Sequence, residues 1–286
     1  MMACDLCGSD GPKFILQAKT LDGPLVQCPS CHFYYVGSRR SHLTFGAGSA
    51  EEVAGRVRQA NLGFQNLRLE EEHRLALLNA AWRLNIIRGL CSSGRLLEVG
   101  CARGDFLSVA RQYFDVVGVE PNPELADSAR HVSSIHEGVI ETLKASDFDV
   151  AASFHVIEHV DSPQRFLAEM VRRVRPGGRV VIETPNIESL PFKLLRSRWR
   201  QFIPEHYYFF GPGTIRRLME SNSLEVEQIL SVGKYASVEL VLNRLSRYAG
   251  LASHAAAVAR RIGLSRTTFR LNPRDIMLVV ARRNAG

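Results

Sequence analysis

The rhythm of apolar and polar positions changes along the chain, and each change predicts a different element. The stretch GSRRSHLTFGAGSA is rich in Gly, Ser and Arg and reads as a linker. Residues 51–90 predict helix. In LRLEEEHRLALLNAAWRLNIIRGL, apolar residues at 67, 75, 78, 82, 86 and 90 recur at a period of about 3.6. From Arg95 the pattern becomes an alternation of short apolar runs and helices. RLLEV, DVVGVE, SSIHEG, FDVAASF and RVVIETP predict strands, and GDFLSVARQY and NPELADSARH predict helices between them. SPQRFLAEMVRRV predicts a helix with Ser162 as N-cap and Pro163 in its first turn, ended by PGG. Such alternation implies right-handed βαβ units and a parallel sheet covered on both faces. The tail predicts a helix at 213–221, a strand LEVEQILSV, a helical stretch over about 236–262 and a last strand DIMLVVARR. No internal repeat or low-complexity tract is visible.

Composition adds bounds. The 286 residues allow one large domain with an appendage or two modest domains. With 45% hydrophobic and 23% charged residues, the chain can bury a sizeable core. Its longest apolar runs fall far short of the roughly 20 residues that span a bilayer, and no leader pattern is seen. The expectation is a cytoplasmic protein. A formal charge of +7 suits anionic ligands without arguing for nucleic acid.

Cysteine spacing is more specific. CDLC and CPSC place Cys4, Cys7, Cys28 and Cys31 as two C-x-x-C knuckles, the spacing of a four-thiolate zinc ribbon. Each knuckle presents two sulfurs to one tetrahedral ion, and the metal replaces a core that so few residues cannot build. The zinc is expected to be structural, away from the chemistry, in front of a sheet with its own core. Disulfides are disfavoured in a cytosolic chain, and a ribbon that has lost its metal is the other alternative.

In SFHVIEHVDSP, His155, Glu158 and His159 spell H-x-x-E-H, a zinc-protease signature when it lies on a helix. Here His155 ends a predicted strand and a new helix is capped a few residues later, so the helix a protease needs has no room. Ligands of open α/β sheets bind beyond the strand carboxyl ends, which makes this string the rim of a small-molecule site. The first predicted strand runs into EVGCARG, whose glycines let the backbone turn tightly and approach a ligand at the next helix. Glu120 ends the second strand, where an acidic side chain can take both hydroxyls of a ribose.

With LLEVGCARGDFL, VVGVEPNPELADSAR and FDVAASFHVIEHVDSPQRFLAEMVRRVRPGGRVVIETPN in place, the sequence resembles the class I S-adenosylmethionine-dependent methyltransferases over essentially residues 66–286. The run LRSRWRQFIPEHYYFFGPGTIRRLMESNSLEVEQI is similar to the distal segment of the group related to ubiquinone-biosynthetic O-methyltransferases, where H-x-x-F-F precedes a helix. The resemblance implies a Rossmann-like α/β fold. Its seven strands would run in the order 3-2-1-4-5-7-6 with the last antiparallel. Together with the cysteine spacing and the residue pattern, this divides the chain into a zinc ribbon at 1–40, a linker and helical segment at 41–90, and a methyltransferase domain at 91–286 with a helical insertion at about 234–264. Gly100, Cys101 and Gly104 would border the methionine part of the cofactor S-adenosylmethionine, with Glu98 supporting the loop, Glu120 on the ribose and His155 near the methyl. Two departures from the family pattern are Ala102, where glycine is commonest, and Val139, where many relatives carry an aspartate for the adenine. Adenine contacts would then fall to backbone around Ile140 or to Glu141.

The implied reaction is methyl transfer to a small-molecule acceptor, most readily at oxygen. Ribbon-bearing bacterial relatives act on sugars, cell-surface precursors and natural products. A hydroxyl acceptor needs a base, and His206, His159 and His155 are the candidates in that order. Relatives with E-x-x-E-H at this place have been linked to a divalent metal, which here would sit on Glu158 and His159. Trp199, Glu205, His206, Tyr207 and Tyr208 form either a lid over the acceptor or a core aromatic cluster. Arg196, Arg198 and Arg200 could hold a phosphate or carboxylate of an anionic acceptor. Two other readings stay open: an RNA methyltransferase docking through the ribbon, and a non-catalytic partner protein with this fold. Against nucleic acid, the chain has neither an N-P-P-Y-like string nor an aromatic-basic stripe in the ribbon.

Overall fold

The computed structural model describes residues 3–38, 69–245, 257–259 and 261–284. Apart from Gly37 and Ser38, the expected linker lies outside the described residues, as does the helical expectation over 51–68. The first described helix, α1 (Leu69–Leu90), opens on Glu70, Glu71 and Glu72 and has Arg88 in its last turn. This charge order suits the helix dipole.

After α1 the alternation predicted from sequence appears. β4 (Gly94–Val99), β5 (Phe114–Glu120), β6 (Ser134–Glu137), β7 (Phe148–Phe154), β8 (Val174–Pro185), β10 (Leu224–Ser231) and β13 (Ile276–Arg283) form one sheet of order β10-β13-β8-β7-β4-β5-β6. Numbered within the sheet, this is the expected 3-2-1-4-5-7-6. β13 runs antiparallel to both its neighbours, and the remaining neighbouring pairs are parallel. The helices between are α2 (Asp105–Ala110), α3 (Pro123–Ala129) and α4 (Pro163–Arg173), followed later by α5 (Leu190–Leu195) and α6 (Pro212–Ser221). As expected, the Ser162 hydroxyl accepts the Arg165 N–H and Pro163 takes the first turn of α4. PGG does not separate helix from strand, because β8 already begins at Val174. A shift of register against β7, from Phe148↔Val174 to Val150↔Arg179, absorbs these residues.

Alternate residues of the central strands face opposite cores, as a pleat requires. Leu97, Val99, Ala151, Val180 and Ile182 pack on one face against Phe166, Leu167 and Met170 of α4 and Ile215, Leu218 and Met219 of α6. Leu96, Val150, Ala152 and Val181 pack on the other face against Ala80, Leu84 and Ile87 of α1 and Phe106 and Leu107 of α2.

Two arrangements differ from expectation. The cysteine-rich segment has no separate core. Its strands β1 (Lys13–Leu16), β2 (Leu25–Gln27) and β3 (Tyr34–Val36) continue into β9 (Tyr208–Phe209) as a four-stranded sheet. Leu25, Val26, Phe33 and Val36 share one hydrophobic cluster with the α4 and α6 side of the main sheet. The expected helical insertion at about 234–264 opens instead with a strand, β11 (Lys234–Ser237), paired antiparallel with β12 (Thr268–Leu271). Helix α7 (Val238–Leu245) follows directly, and its apolar period masked the strand before it. Residues 246–256 and 260 of that expectation lie outside the described residues.

Candidate functional site

Beyond β4 the chain makes the predicted tight turn. Gly100, Ala102 and Gly104 all lie in the left-handed region, with φ of 78°, 47° and 80°. A Cβ at Gly100 would stand 2.4 Å from Val156 Cγ2, so this glycine also admits the segment after β7. The Gly100 and Cys101 amides donate to the Val119 carbonyl at 2.8 and 3.1 Å, tying the loop to β5. For a non-glycine residue, the left-handed turn at Ala102 costs about 1–2 kcal/mol. Its N–H donates to Glu120 Oε2 at 2.9 Å, which offsets that cost. Glu120 Oε1 accepts the Asn122 N–H at 3.0 Å. In the protein alone, then, the carboxylate expected to meet the ribose clamps the glycine loop. Burial raises its pKa while the two amides oppose the rise.

Glu98, at the end of β4, is buried, and its Oε2 has no hydrogen-bond partner among the described residues. Burial raises its pKa well above the usual carboxylate value. Arg83 opposes that rise, whereas Asp105 and Glu120 add to it. An unsatisfied buried carboxyl is a receptor for a cation or a hydrogen-bond donor. Cys101 is buried, and burial, then Glu98 and Glu120, push its thiol up, so it holds its proton at neutral pH. Beyond β6, a short 3₁₀ turn spans Ile140–Thr142, with Ile140 buried and Glu141 exposed.

The second half of the site lies beyond β7 and β8. The H-x-x-E-H string is a turn, not a helix: His155 has φ 58° and the His159 N–H donates to the Val156 carbonyl. His155 stands between two buried carboxylates. Its Nδ1 hydrogen-bonds Glu158 Oε1 at 3.0 Å. Its Nε2 lies 2.9 Å from Glu183 Oε1 but lacks the alignment of a hydrogen bond. Glu158 Oε2 accepts the Thr184 hydroxyl at 3.0 Å. Burial alone would raise the Glu158 pKa. The His155 hydrogen bond, then the positive charge that His155, His206 and His159 carry when protonated, bring it down to about 2.

His206 and His159 meet edge to face with ring centroids 4.5 Å apart. His159 Nδ1–H donates to the Glu205 carbonyl at 2.8 Å, which leaves the lone pair on Nε2. His206 Nε2 lies 3.9 Å from Glu158 Oε1, and its Nδ1 has no aligned partner among the described residues. Burial lowers the pKa of both rings, that of His206 well below the usual histidine range, so both are neutral at physiological pH. Glu158, His159 and His206 offer ligand atoms within 4.8 Å of one another, close enough to share one cation.

The fold thus brings His155, Glu158, His159 and His206 together. It does not bring the three lid-side arginines to one anion site. Arg200 is held bidentate by the buried Asp275 at 2.7 and 2.7 Å, Arg196 lies over the Phe192 ring, and Arg198 is exposed. Trp199 is a core residue, packed against Phe192, Phe202 and Phe209. Sequence reasoning missed Arg83, Glu183, Thr184 and Lys234. Glu183 accepts a bidentate pair from Arg83 at 2.8 and 2.6 Å, and Lys234 Nζ lies 3.9 Å away. Burial would raise the Glu183 pKa, but Arg83, then His155, hold it well below the carboxylate range. The available signal was Glu183-Thr184, two polar residues ending the apolar run VVI at a strand carboxyl end.

In the N-terminal segment the four predicted cysteines converge. Cys4 Sγ lies 3.5 Å from Cys31 Sγ, Cys7 Sγ lies 3.5 Å from Cys28 Sγ, and all four sulfurs are within 4.8 Å of one another. A tetrahedral zinc with Zn–S near 2.3 Å needs sulfur–sulfur edges of about 3.8 Å. The donor set fits. Against burial, the amides of Cys31 and Ser30 bring the Cys28 thiol down to about 7.

A family model described as a methyltransferase domain matches residues 72–229. The chain is 32% identical over 107 residues to the mitochondrial ubiquinone biosynthesis O-methyltransferase of Schizosaccharomyces pombe, covering 33% of this chain and 39% of that protein. It is 25% identical over 150 residues to the ubiquinone biosynthesis O-methyltransferase of Rickettsia bellii, covering 47% and 62%. The chain therefore spans less than two thirds of the length of these relatives. Among solved structures, a SAM-dependent methyltransferase from Thermotoga maritima, described as a possible histamine N-methyltransferase, superposes with a TM-score of 0.51. At 20% identity over 82% of this chain and 98% of that one, it speaks for the fold alone. The glycine loop, its acidic partners and the seven-stranded order all lie in or around the matched stretch, and the chain belongs to the methyltransferase-domain family.

Proposed function

We propose that this protein transfers the methyl group of S-adenosylmethionine to a hydroxyl of a small molecule. The observation that carries the reading is the junction of two half-sites at the carboxyl edge of one sheet: the glycine loop clamped by Glu120, and the buried His206–Glu158–His159 group. When bound, S-adenosylmethionine supplies a methyl already activated by a sulfonium. What the residues must do is bind, align and move one proton. The Gly100–Gly104 backbone accommodates the methionine portion, and the unsatisfied Oε2 of Glu98 suits its ammonium. Glu120 can take the ribose hydroxyls from where it now holds the loop. His206, neutral because it is buried, accepts the acceptor's proton, and the Glu158 carboxylate 3.9 Å away stabilises the imidazolium that forms. His155 is held by Glu158 and Glu183 and is less suited to that task.

The spacing of Glu158, His159 and His206 favours one competing role, a divalent cation that acidifies the hydroxyl by coordination. Three measurements test these readings. Calorimetry should find S-adenosylmethionine binding in the micromolar range, about −8 kcal/mol. With an acceptor found by screening phenols and sugars, His206→Ala should lower turnover by about 10²–10⁴-fold and leave cofactor affinity unchanged. A chelator too weak to strip the four thiolates should then have no effect. Loss of activity with that chelator and its recovery with magnesium would replace the base by the cation. No cofactor binding at all would refute methyl transfer.

A further inference from the structure

We propose that the cysteine-rich segment is a positioning element of the acceptor site. Its third strand holds the strand beside His206, so a metal on the four thiolates sets where that imidazole stands against Glu158. The role of His206 rests on the methyl-transfer reading above; what holds His206 rests on contacts alone.

β9 is only two residues long and cannot order itself. On one side it is stitched to the candidate site: the Glu158 carbonyl accepts the Tyr207 and Tyr208 amides at 2.9 and 3.2 Å, and the Tyr208 hydroxyl donates to the Asp161 carbonyl at 2.8 Å. On the other side it is stitched to β3, with Tyr34↔Phe209 and Tyr35↔Tyr208 in register and the Val36 amide donating to the Tyr207 carbonyl at 2.8 Å. Tyr207 therefore gives its N–H to the catalytic turn and its carbonyl to β3, one residue after His206. Phe33, buried under this seam, stacks on Tyr208 with centroids 5.7 Å apart and meets Phe210 at 4.9 Å.

β3 in turn depends on the metal knuckle. Cys28 and Cys31 lie in the connection between β2 and β3. The Cys28 amide donates to the Phe33 carbonyl at 2.9 Å, and the His32 amide to Cys28 at 3.0 Å. Arg217 of α6 donates to the Cys31 carbonyl at 3.1 Å. Without an ion, the sulfurs of this knuckle lose the bond that closes the turn, leaving its two backbone hydrogen bonds and the burial of Phe33 and Val36 to hold β3. The path from metal to site runs Cys28 and Cys31, then β3, then β9, then His206.

Hydrogen exchange on the full chain, read by mass spectrometry, tests this. Zinc-loaded protein and protein stripped with a strong chelator should differ at Tyr207–Phe209 by about tenfold or more in exchange rate, while β4 and β5 stay within about twofold. Added zinc should restore protection and magnesium should not. Phe33→Ala, which keeps the thiolates and their zinc, should loosen the same peptide and shift the ¹⁵N imidazole resonances of His206. Phe14→Ser, on the exposed face of β1, should change neither. Equal protection of β9 with and without zinc, or in Phe33→Ala, overturns the proposal. If stripping also releases β4 and β5, the loss is global and Phe33→Ala alone decides. Cofactor calorimetry separates the two readings: wild type that fails to bind S-adenosylmethionine refutes methyl transfer and leaves the β3–β9 coupling standing.

Discussion

Replacing Arg83 by methionine should be among the most destabilising single changes near the site, although position 83 carries no motif. The guanidinium makes two short charge-assisted hydrogen bonds to Glu183, whose side chain is 2% exposed. It also lies 4.4 Å over the Phe154 ring. Removing one member of a buried ion pair typically costs 3–5 kcal/mol, because the other charge stays buried without a partner. Here the Glu183 carboxylate keeps His155 Nε2 at 2.9 Å and Lys234 Nζ at 3.9 Å, which favours the lower end. Methionine retains most of the stem packing. The expectation is a loss of about 3 kcal/mol at pH 7, read from urea unfolding followed by the fluorescence of Trp82 and Trp199. The sign with pH is fixed. Glu183 is held well below 4.5 in the folded protein, so its contribution is complete above that value and fades as pH falls through the folded pKa. The gap between wild type and variant should therefore narrow in acid. Adding Glu183→Gln to Arg83→Met removes the stranded charge and should recover about 1.5 kcal/mol or more. A single variant within about 1 kcal/mol of wild type at pH 7, or a double variant no better than the single, would refute the reasoning.

Cofactor affinity should depend on pH through Glu98. Its pKa is raised in the free protein and an ammonium partner favours the carboxylate, so the dissociation constant should fall by up to about tenfold per pH unit on the acid side. Calorimetry on Glu98→Gln should show that limb flattened. Glu120→Ala removes the acceptor for both the Ala102 and Asn122 amides, and calorimetry should show affinity reduced by about 10–100-fold, with Glu120→Gln retaining more. Lys234 is 40% exposed at its side chain, and burial brings its pKa down to about 8, aided by Arg83 and Arg200 and opposed by Glu183. At pH 8 it should acylate about tenfold faster than ordinary surface lysines in a peptide-mapped labelling experiment. Labelling at the common rate would mean the ammonium is solvated like the others.

The sheet could be read in the sequence because β4, β5, β7, β8 and β13 are short apolar runs, buried on both faces, between helices with their own period. The strands that could not be read are those whose sequence carries no period. β2 and β3 are three residues each and β9 is two. Their order comes from hairpin turns and from pairing across the chain, which no window along the sequence contains. β11 was misread for a related reason: Lys234–Ser237 runs straight into α7 without a breaker, so the helical pattern of VELVLNRL extends backward over it. The expectation that the main sheet's core would be separate from the cysteine-rich segment failed because it counted residues in that segment alone. Phe33 and Val36 are buried against residues of the main sheet's own cluster.

The candidate site divides along the same line. Glu98, Gly100, Gly104 and Glu120 could be named because each occupies a strand end or a turn that its neighbours in sequence define. Glu158 and His159 could be named from their string, and His206 from the aromatic run around it. Their chemistry, however, depends on partners far along the chain: His159 on a carbonyl 46 residues away, Glu158 on a threonine 26 away, and Glu183 on an arginine 100 away. These partners decide which groups are charged. Burial pushes His206 and His159 toward the neutral form and, taken alone, would do the same to Glu158. Glu158 stays ionised chiefly because His155 hydrogen-bonds it, while its other oxygen accepts the Thr184 hydroxyl. The result is a neutral imidazole beside a buried carboxylate, the pairing that the proposed role of His206 as a base requires. In that arrangement His155 hydrogen-bonds the carboxylate that, in the proposed mechanism, would stabilise protonated His206. The string H-x-x-E-H names the residues, but their division of labour follows from Thr184, Glu183 and Arg83.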